Sequence, residues 1–259
     1  MMFAAMAFAV GLFLGMLGMQ HVGHGIAIRR MAADPEFAKK GVGVVEGAIF
    51  GLLSLLVAFT FSGAVARFEA RRHLVNEEAV SISTAWDRIA LLPAAAQPEM
   101  RELFRRYLDS RLETYRQATK LEIAEQEWKR SLNLQHDIWT QGVTAGQASP
   151  TMSASLLFLP AVNQMSDVAR TRIAATRIHP PLVVYGMLAA MALIGALLAG
   201  YHMAGGKVRS WLHTVGFATV IAATVYVILD IEYPRFGLIR VDAADQLLID
   251  LRHSMSAPH

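Results

Sequence analysis

Glu46-Gly-Ala-Ile-Phe-Gly-Leu-Leu-Ser-Leu-Leu-Val-Ala-Phe-Thr-Phe-Ser-Gly-Ala-Val-Ala-Arg67-Phe-Glu-Ala-Arg-Arg72 is an uncharged apolar run that turns abruptly into a charged one. Gly47 to Ala66 carries no ionisable side chain, which is about the ~20 residues needed to cross a hydrocarbon core of roughly 30 Å. The stretch is a membrane span. No proline interrupts it before Trp86, so the helix is expected to leave the bilayer and continue as a stalk. At ~1.5 Å per residue, Arg67 to Leu92 would project roughly 37 Å beyond the membrane.

Composition agrees. Apolar residues make up 54% and charged ones only 17%, with a mean hydropathy of +0.36, whereas soluble domains are about a quarter charged. The absence of cysteine rules out disulfides, thiolate metal sites and a Cys nucleophile. The net charge of +3 comes from basic residues clustered near the span ends, a membrane pattern that gives no support to nucleic-acid binding.

On the N-terminal side, Met2 to Met19 is apolar throughout and reads as a first span. A signal peptide is the rival reading, but a basic n-region and a small-x-small cleavage site are not evident. Gln20 to Gly41 then reads as a polar loop with one helical turn, broken at Asp34-Pro35. Its His21 and His24 lie three apart, a spacing that suits a metal but lacks a third ligand; no metal or cofactor is expected.

On the C-terminal side, Phe68 to Pro181 changes to amphipathic helices. One runs to Pro93; a second, Glu99 to Ala118, places Leu103, Tyr107, Arg111 and Tyr115 one turn apart; a third covers Lys120 to Thr140. Gly142 to Gly146 with Pro150 reads as a hinge, and a fourth helix from Ser153 to Ile178 is expected to kink at Pro160 and to stop at His179-Pro180-Pro181. Leu182 to Met203 and Trp211 to Leu229 are the third and fourth spans, joined by a link short enough only for antiparallel neighbours. The expected fold is all-α, a polytopic membrane protein with four transmembrane helices and a cytosolic helical domain inserted between spans 2 and 3. Its divisions are 1–66 (spans 1 and 2), 67–181 (helical domain), 182–230 (spans 3 and 4) and 231–259 (cytosolic C-terminal segment).

Arg67, Arg71, Arg72, Arg170, Arg172, Arg177, Arg235 and Arg240 flank one side, against Arg29, Arg30, Lys39, Lys40, Lys207 and Arg209 on the other. The positive-inside rule therefore places both termini and the helical domain in the cytoplasm.

Gly43, Gly47, Gly51, Leu55, Phe59 and Gly63 form one stripe of the second span. Small residues four apart let another backbone approach closely, and bulky apolar ones can gate a pore by dewetting; plain helix packing and a pore wall both fit. Glu46 at the span's start is either a snorkelled interfacial group or one that attracts ions. Asp230 and Glu232 end the fourth span at the level of Arg67, Arg71 and Arg72. They read as salt-bridge partners, or as an ion site with Glu77 or Glu78; these two could also pair with Arg72 along the helix. No phosphate-cradling loop, His-Glu-x-x-His or Gly-x-Ser-x-Gly is present, so no catalytic residue is assigned.

Phe59-x-x-x-x-Ala64-x-x-Arg67-Phe68 with Glu69-x-Arg71 resembles the pore-neck stretch of bacterial bestrophin channels. Asn76-Glu77-Glu78-Ala79, Ser83-Thr84-Ala85, Arg88, His179-Pro180-Pro181 and Asp230-x-Glu232-x-Pro234-x-x-Gly237-Leu-Ile-Arg240 are similar to the bestrophin-like family of bacterial four-span proteins, a match over nearly the whole chain. The resemblance implies a homo-oligomer in the bacterial inner membrane, pentameric in bestrophins, conducting inorganic ions through a central pore lined by the second span. Counted back from Arg67, the family's constricting positions fall on Phe59, Leu55 and Gly51, and Gly51 departs from the bulky pattern. Glu46, Arg67 and Arg71 would flank the two mouths. The bilayer, other copies of the chain and ions are the implied partners. The alternative is a non-conducting membrane scaffold whose helical domain binds a protein through faces bearing Trp128, Trp139, Tyr107 and Tyr115.

Overall fold

The computed structural model describes residues 2–33, 43–149, 152, 154–205, 211–233 and 242–256. Among them there is no strand. The helices are α1 (Met2–Ala33), α2 (Gly43–Asp87), α3 (Gln97–Arg116), α4 (Leu121–Ala148), α5 (Leu159–Ala175), α6 (Leu182–His202), α7 (Trp211–Glu232) and α8 (Asp242–Ser254). Four of them, α1, α2, α6 and α7, are long and apolar enough to cross a membrane. The chain forms two compact units, Met1–Phe68 with His179–Leu238, and Glu69–Ile178 with Ile239–His259.

In the first unit, α1 packs along α6 and α7. Gly15 lies beside Leu193 and Gly23 beside Leu197 and Tyr201, so α1 and α6 run in the same direction. The approach is close enough that a Cβ built on Gly23 would stand 2.0 Å from the Leu197 carbonyl oxygen, and one on Gly200 2.0 Å from that of Gln20. Lipid is as apolar as leucine, so dispersion between closely approaching backbones, rather than the hydrophobic effect, holds such helices together. The same contact corrects the expected loop at Gln20 to Gly41: α1 continues to Ala33 because Gln20, Gly23 and Ala27 keep one face buried beyond the apolar run. Asp34, Pro35, Lys39, Lys40 and Gly41 lie outside the described residues, as do Lys207, Arg209 and the Pro234 to Arg240 motif.

The second unit is held by an apolar core that includes Ile82, Trp86, Met100, Phe104, Tyr107, Ile138, Phe158 and Met165, with Leu248 and Met255 from the C-terminal helix and its end. One expectation changes here. Gly142 and Gly146 are no hinge: α4 runs through both to Ala148, and Gly142 is bare because the Phe158 ring sits where its Cβ would be, 2.7 Å away. At Pro160, where a kink is expected, the helix changes type, and the proline stands in the first turn of α5. A π-helical turn, Ala154–Phe158, precedes it.

Candidate functional site

Within the first unit, the apolar part of α2 has two contrasting faces. Glu46, Leu53, Thr60 and Ala64 are buried, and Phe50 packs edge-on against Phe217 at 5.8 Å. On the other face Phe59 is 67% and Leu55 50% exposed, and Gly47 and Gly51 have nothing within 4 Å of where a Cβ would stand. Of the four spans α2 is the least covered by its own chain: 17% of its most apolar window is buried, against 44% for α7. Gly47, Gly51, Leu55 and Phe59 of the stripe thus lie on the open face of the helix.

Charges near the ends of this span are drawn into pairs. Arg67 grips Glu232 with its guanidinium fork, Nη2 at 2.8 Å and Nε at 2.9 Å from Oε2, and His179 Nδ1 lies 3.1 Å from the other oxygen. His179 also stacks on Tyr233 at 4.7 Å. Glu232 is fully buried, so this pairing is what lets a carboxylate sit there at all. At the start of α2, Glu46 Oε2 meets His202 Nδ1 at 3.3 Å.

Substituting Arg67 by Gln is therefore expected to lower stability by about 2–4 kcal/mol, since it takes the guanidinium away from a buried carboxylate. Thermal unfolding of the purified protein checks this; a midpoint equal to that of an exposed-site variant such as Arg72→Gln would disprove it.

In the second unit the remaining sequence-predicted residues part company. Arg71 is buried and donates to the carbonyls of Ala175 (3.2 Å) and Ile178 (2.9 Å), capping the end of α5. Arg72 pairs with Glu69 and Glu77 with His73, all on the surface. Glu77 borders a groove of about 310 Å³ between α2 and α5 with Asn76, Val80, Ser81, Thr84, Ala161, Gln164 and Val168. Its neighbour Glu78 points into the core and is fully buried. Arg111 Nε and Arg172 Nη1 each donate to it at 2.6 Å, and the Tyr115 hydroxyl donates at 2.9 Å. Arg172 also reaches Asp245 of α8, and Arg111 donates to the Tyr115 hydroxyl and lies over the Trp128 ring.

Electrostatics follow from this burial. Desolvation alone would raise the Glu78 carboxyl, but the two guanidiniums overcome it and hold the group below the usual glutamate range. Burial pushes the Tyr107 hydroxyl up to about 12 and raises that of Tyr115 as well. Burial disfavours the Arg111 charge too, yet Glu78, Tyr115 and Tyr107 together outweigh it and raise its pKa. The network links α2, α3, α5 and α8. Its signal in the sequence is the row Tyr107, Arg111, Tyr115, in which a charge occupies the buried stripe of a helix; Glu78 likewise falls on the Val75–Ile82 face. Tyr107 and Tyr115 are buried here and offer no surface to a partner, while Trp128 and Trp139 are half-buried. Among the described residues no group of three or more His, Cys, Asp or Glu is placed to hold a metal.

No curated protein matches the chain by sequence. Solved structures of similar fold include two variants of a bacterial bestrophin homologue from Klebsiella pneumoniae. One is 12% identical, with a TM-score of 0.66 over 95% of this chain and 99% of its own. The other is 14% identical, with a TM-score of 0.67 over the same shares. A structure described as a membrane protein, 12% identical, aligns with a TM-score of 0.66 over 94% of this chain and 97% of its own. At this identity the likeness is one of fold. The sequence itself matches the bestrophin-like domain family over residues 7–245, and the chain, an all-helical membrane protein with four candidate spans, belongs to the bestrophin-like family.

Proposed function

We propose that the protein assembles as a homo-oligomer in the bacterial inner membrane and conducts inorganic ions passively through a central pore lined by α2. The observation that carries this is the open face of that span, with Phe59 and Leu55 exposed and Gly47 and Gly51 bare, on a helix whose other face packs within the protomer. Phe59 and Leu55 form the constriction, and Gly51 leaves the neck wide one turn further on. Such a neutral apolar neck passes or blocks ions according to whether it stays wet. Both termini and the helical unit lie on the cytoplasmic side, and Arg67 with Glu232 braces the cytoplasmic end of the pore helix.

Phe59→Ala is expected to raise unitary conductance in planar bilayers by about two-fold or more, because the widened neck wets more readily. Unchanged conductance would remove Phe59 from the constriction. Ion flux in proteoliposomes of the purified protein separates conduction from a scaffolding role. A detergent-solubilised mass of a monomer or simple dimer would eliminate the central pore.

A further inference from the structure

Within the helical unit, α3 runs antiparallel to the charged part of α2. Phe104 meets the Trp86 ring at 6.3 Å, whereas Arg111 and Tyr115 meet Glu78, about two turns nearer the apolar run. The residues that follow, and the turn into α4, therefore fall near the level of Arg71 along the same helix, at about 1.5 Å of rise per residue. Arg71 in turn donates to the carbonyls of Ala175 and Ile178. The two places where the chain of this unit continues into spans thus lie side by side at this end: α2 is one uninterrupted helix from Gly43 to Asp87, and Ile178 stands four residues before Leu182, where α6 begins, a stretch that reaches at most about 14 Å. The α3–α4 turn belongs to the end of the unit that is tied by two short covalent links to the bilayer.

That end exposes aliphatic groups among cations. Leu121 is 77% and Ile123 40% exposed, and Ile178, beyond the end of α5, is 62% exposed. Arg116, Lys120 and Arg177 are exposed as well. Lys129 chiefly, and Arg177 in addition, hold the Glu125 carboxyl below the usual glutamate range, which puts Arg177 near the first turns of α4. Glu125 is engaged by Lys129 at 3.0 Å and Glu113 accepts from Gln117, so Arg116, Lys120 and Arg177 outnumber the exposed Glu122. Aliphatic side chains flanked by long cationic ones suit a headgroup layer, where the former leave water for the acyl boundary and the latter reach phosphates. We infer that the α3–α4 turn is a membrane anchor that rests on anionic phospholipid, with Leu121 and Ile123 entering the interface and Arg116, Lys120 and Arg177 contacting headgroup phosphates. Charge favours an anionic bilayer here over a second copy of a chain whose own net charge is +3.

Because the chain has no cysteine, Leu121→Cys and Ala95→Cys each carry a single fluorescent label; Ala95 is exposed at the opposite end of the unit, just before α3. The full-length labelled proteins are reconstituted into phosphatidylcholine liposomes, with or without phosphatidylglycerol, and quenched by a lipid spin-labelled at its headgroup. The label at 121 should be quenched about three-fold more strongly than the label at 95, and phosphatidylglycerol should widen the difference. Arg116→Gln combined with Lys120→Gln should cut quenching at 121 by about half, and salt at about 1 M, which shortens the Debye length to ~3 Å, should abolish the phosphatidylglycerol increment. Equal quenching at the two positions overturns the inference and leaves another copy of the chain as the cover for Leu121. Quenching at 121 that phosphatidylglycerol leaves unchanged overturns it too. Each substituted side chain is exposed, so the fold is not at stake. The readout needs neither conduction nor a given subunit number, so the pore reading and this anchor can fail separately.

Discussion

Glu78→Gln is expected to destabilise the helical unit by about 3–5 kcal/mol, the cost of breaking a buried ion pair from one side. The change keeps volume and shape but leaves the Arg111 and Arg172 guanidiniums, both buried, without the carboxylate that each contacts at 2.6 Å. Glu77→Gln, one residue away, removes an exposed contact with His73 and should stay within about 0.5 kcal/mol. Thermal or denaturant unfolding followed by circular dichroism compares the two; equal midpoints would mean that Glu78 does not hold the unit together. Acid should act on the same group. Because the folded-state pKa of Glu78 is lowered, its stabilisation is full above the ordinary glutamate range and is lost as pH falls through that range towards the depressed value. In Glu78→Gln this acid-dependent loss should shrink.

The second large effect belongs to the α1–α6 contact. A Cβ at Gly200 or at Gly23 would stand 2.0 Å from a backbone carbonyl oxygen of the other helix, where non-bonded heavy atoms settle near 3.5–4.0 Å. No rotamer change relieves a clash of backbone on backbone, so the helices must part by more than about 1 Å and lose the dispersion contact along their length. Gly200→Ala and Gly23→Ala are each expected to cost about 3 kcal/mol or more, at or above the upper end for overpacking, and to cut the yield of folded protein. Gly186→Ala on α6, with nothing within 4 Å, is the matched control and should behave as the unaltered chain in size-exclusion chromatography and thermal unfolding. Gly200→Ala protein with an unshifted midpoint would contradict the close packing.

The Gln20 to Ala33 segment shows where reading along the chain falls short. Its histidines, arginines and glycines look like a loop, yet the helix persists because Gln20, Gly23 and Ala27 have a partner surface on α6 or elsewhere in the bundle that no local pattern reveals. Gly142 is a second case. A glycine near another glycine and a proline signals a turn locally, but here it makes room for a phenylalanine ring from sixteen residues further on.

Charges divide the same way. Arg67, Arg71 and Arg72 form one basic cluster in the sequence, but the fold sends them to a buried glutamate, to the carbonyls at the end of α5 and to a surface neighbour respectively. Glu77 and Glu78 are adjacent and chemically identical, and a rotation of about 100° about the helix axis puts one in solvent and the other at the centre of a four-helix ion network.

By itself the sequence determined that this is an all-helical membrane protein with four spans and a charged helical region between the second and third. Uncharged runs of that length have one cheap solution in hydrocarbon, a helix that satisfies its own backbone. The tertiary structure decided which face of α2 stays open, which charges are buried and where two helices touch backbone to backbone. Those outcomes depend on contacts between residues far apart in the chain, whose energies no local spacing encodes.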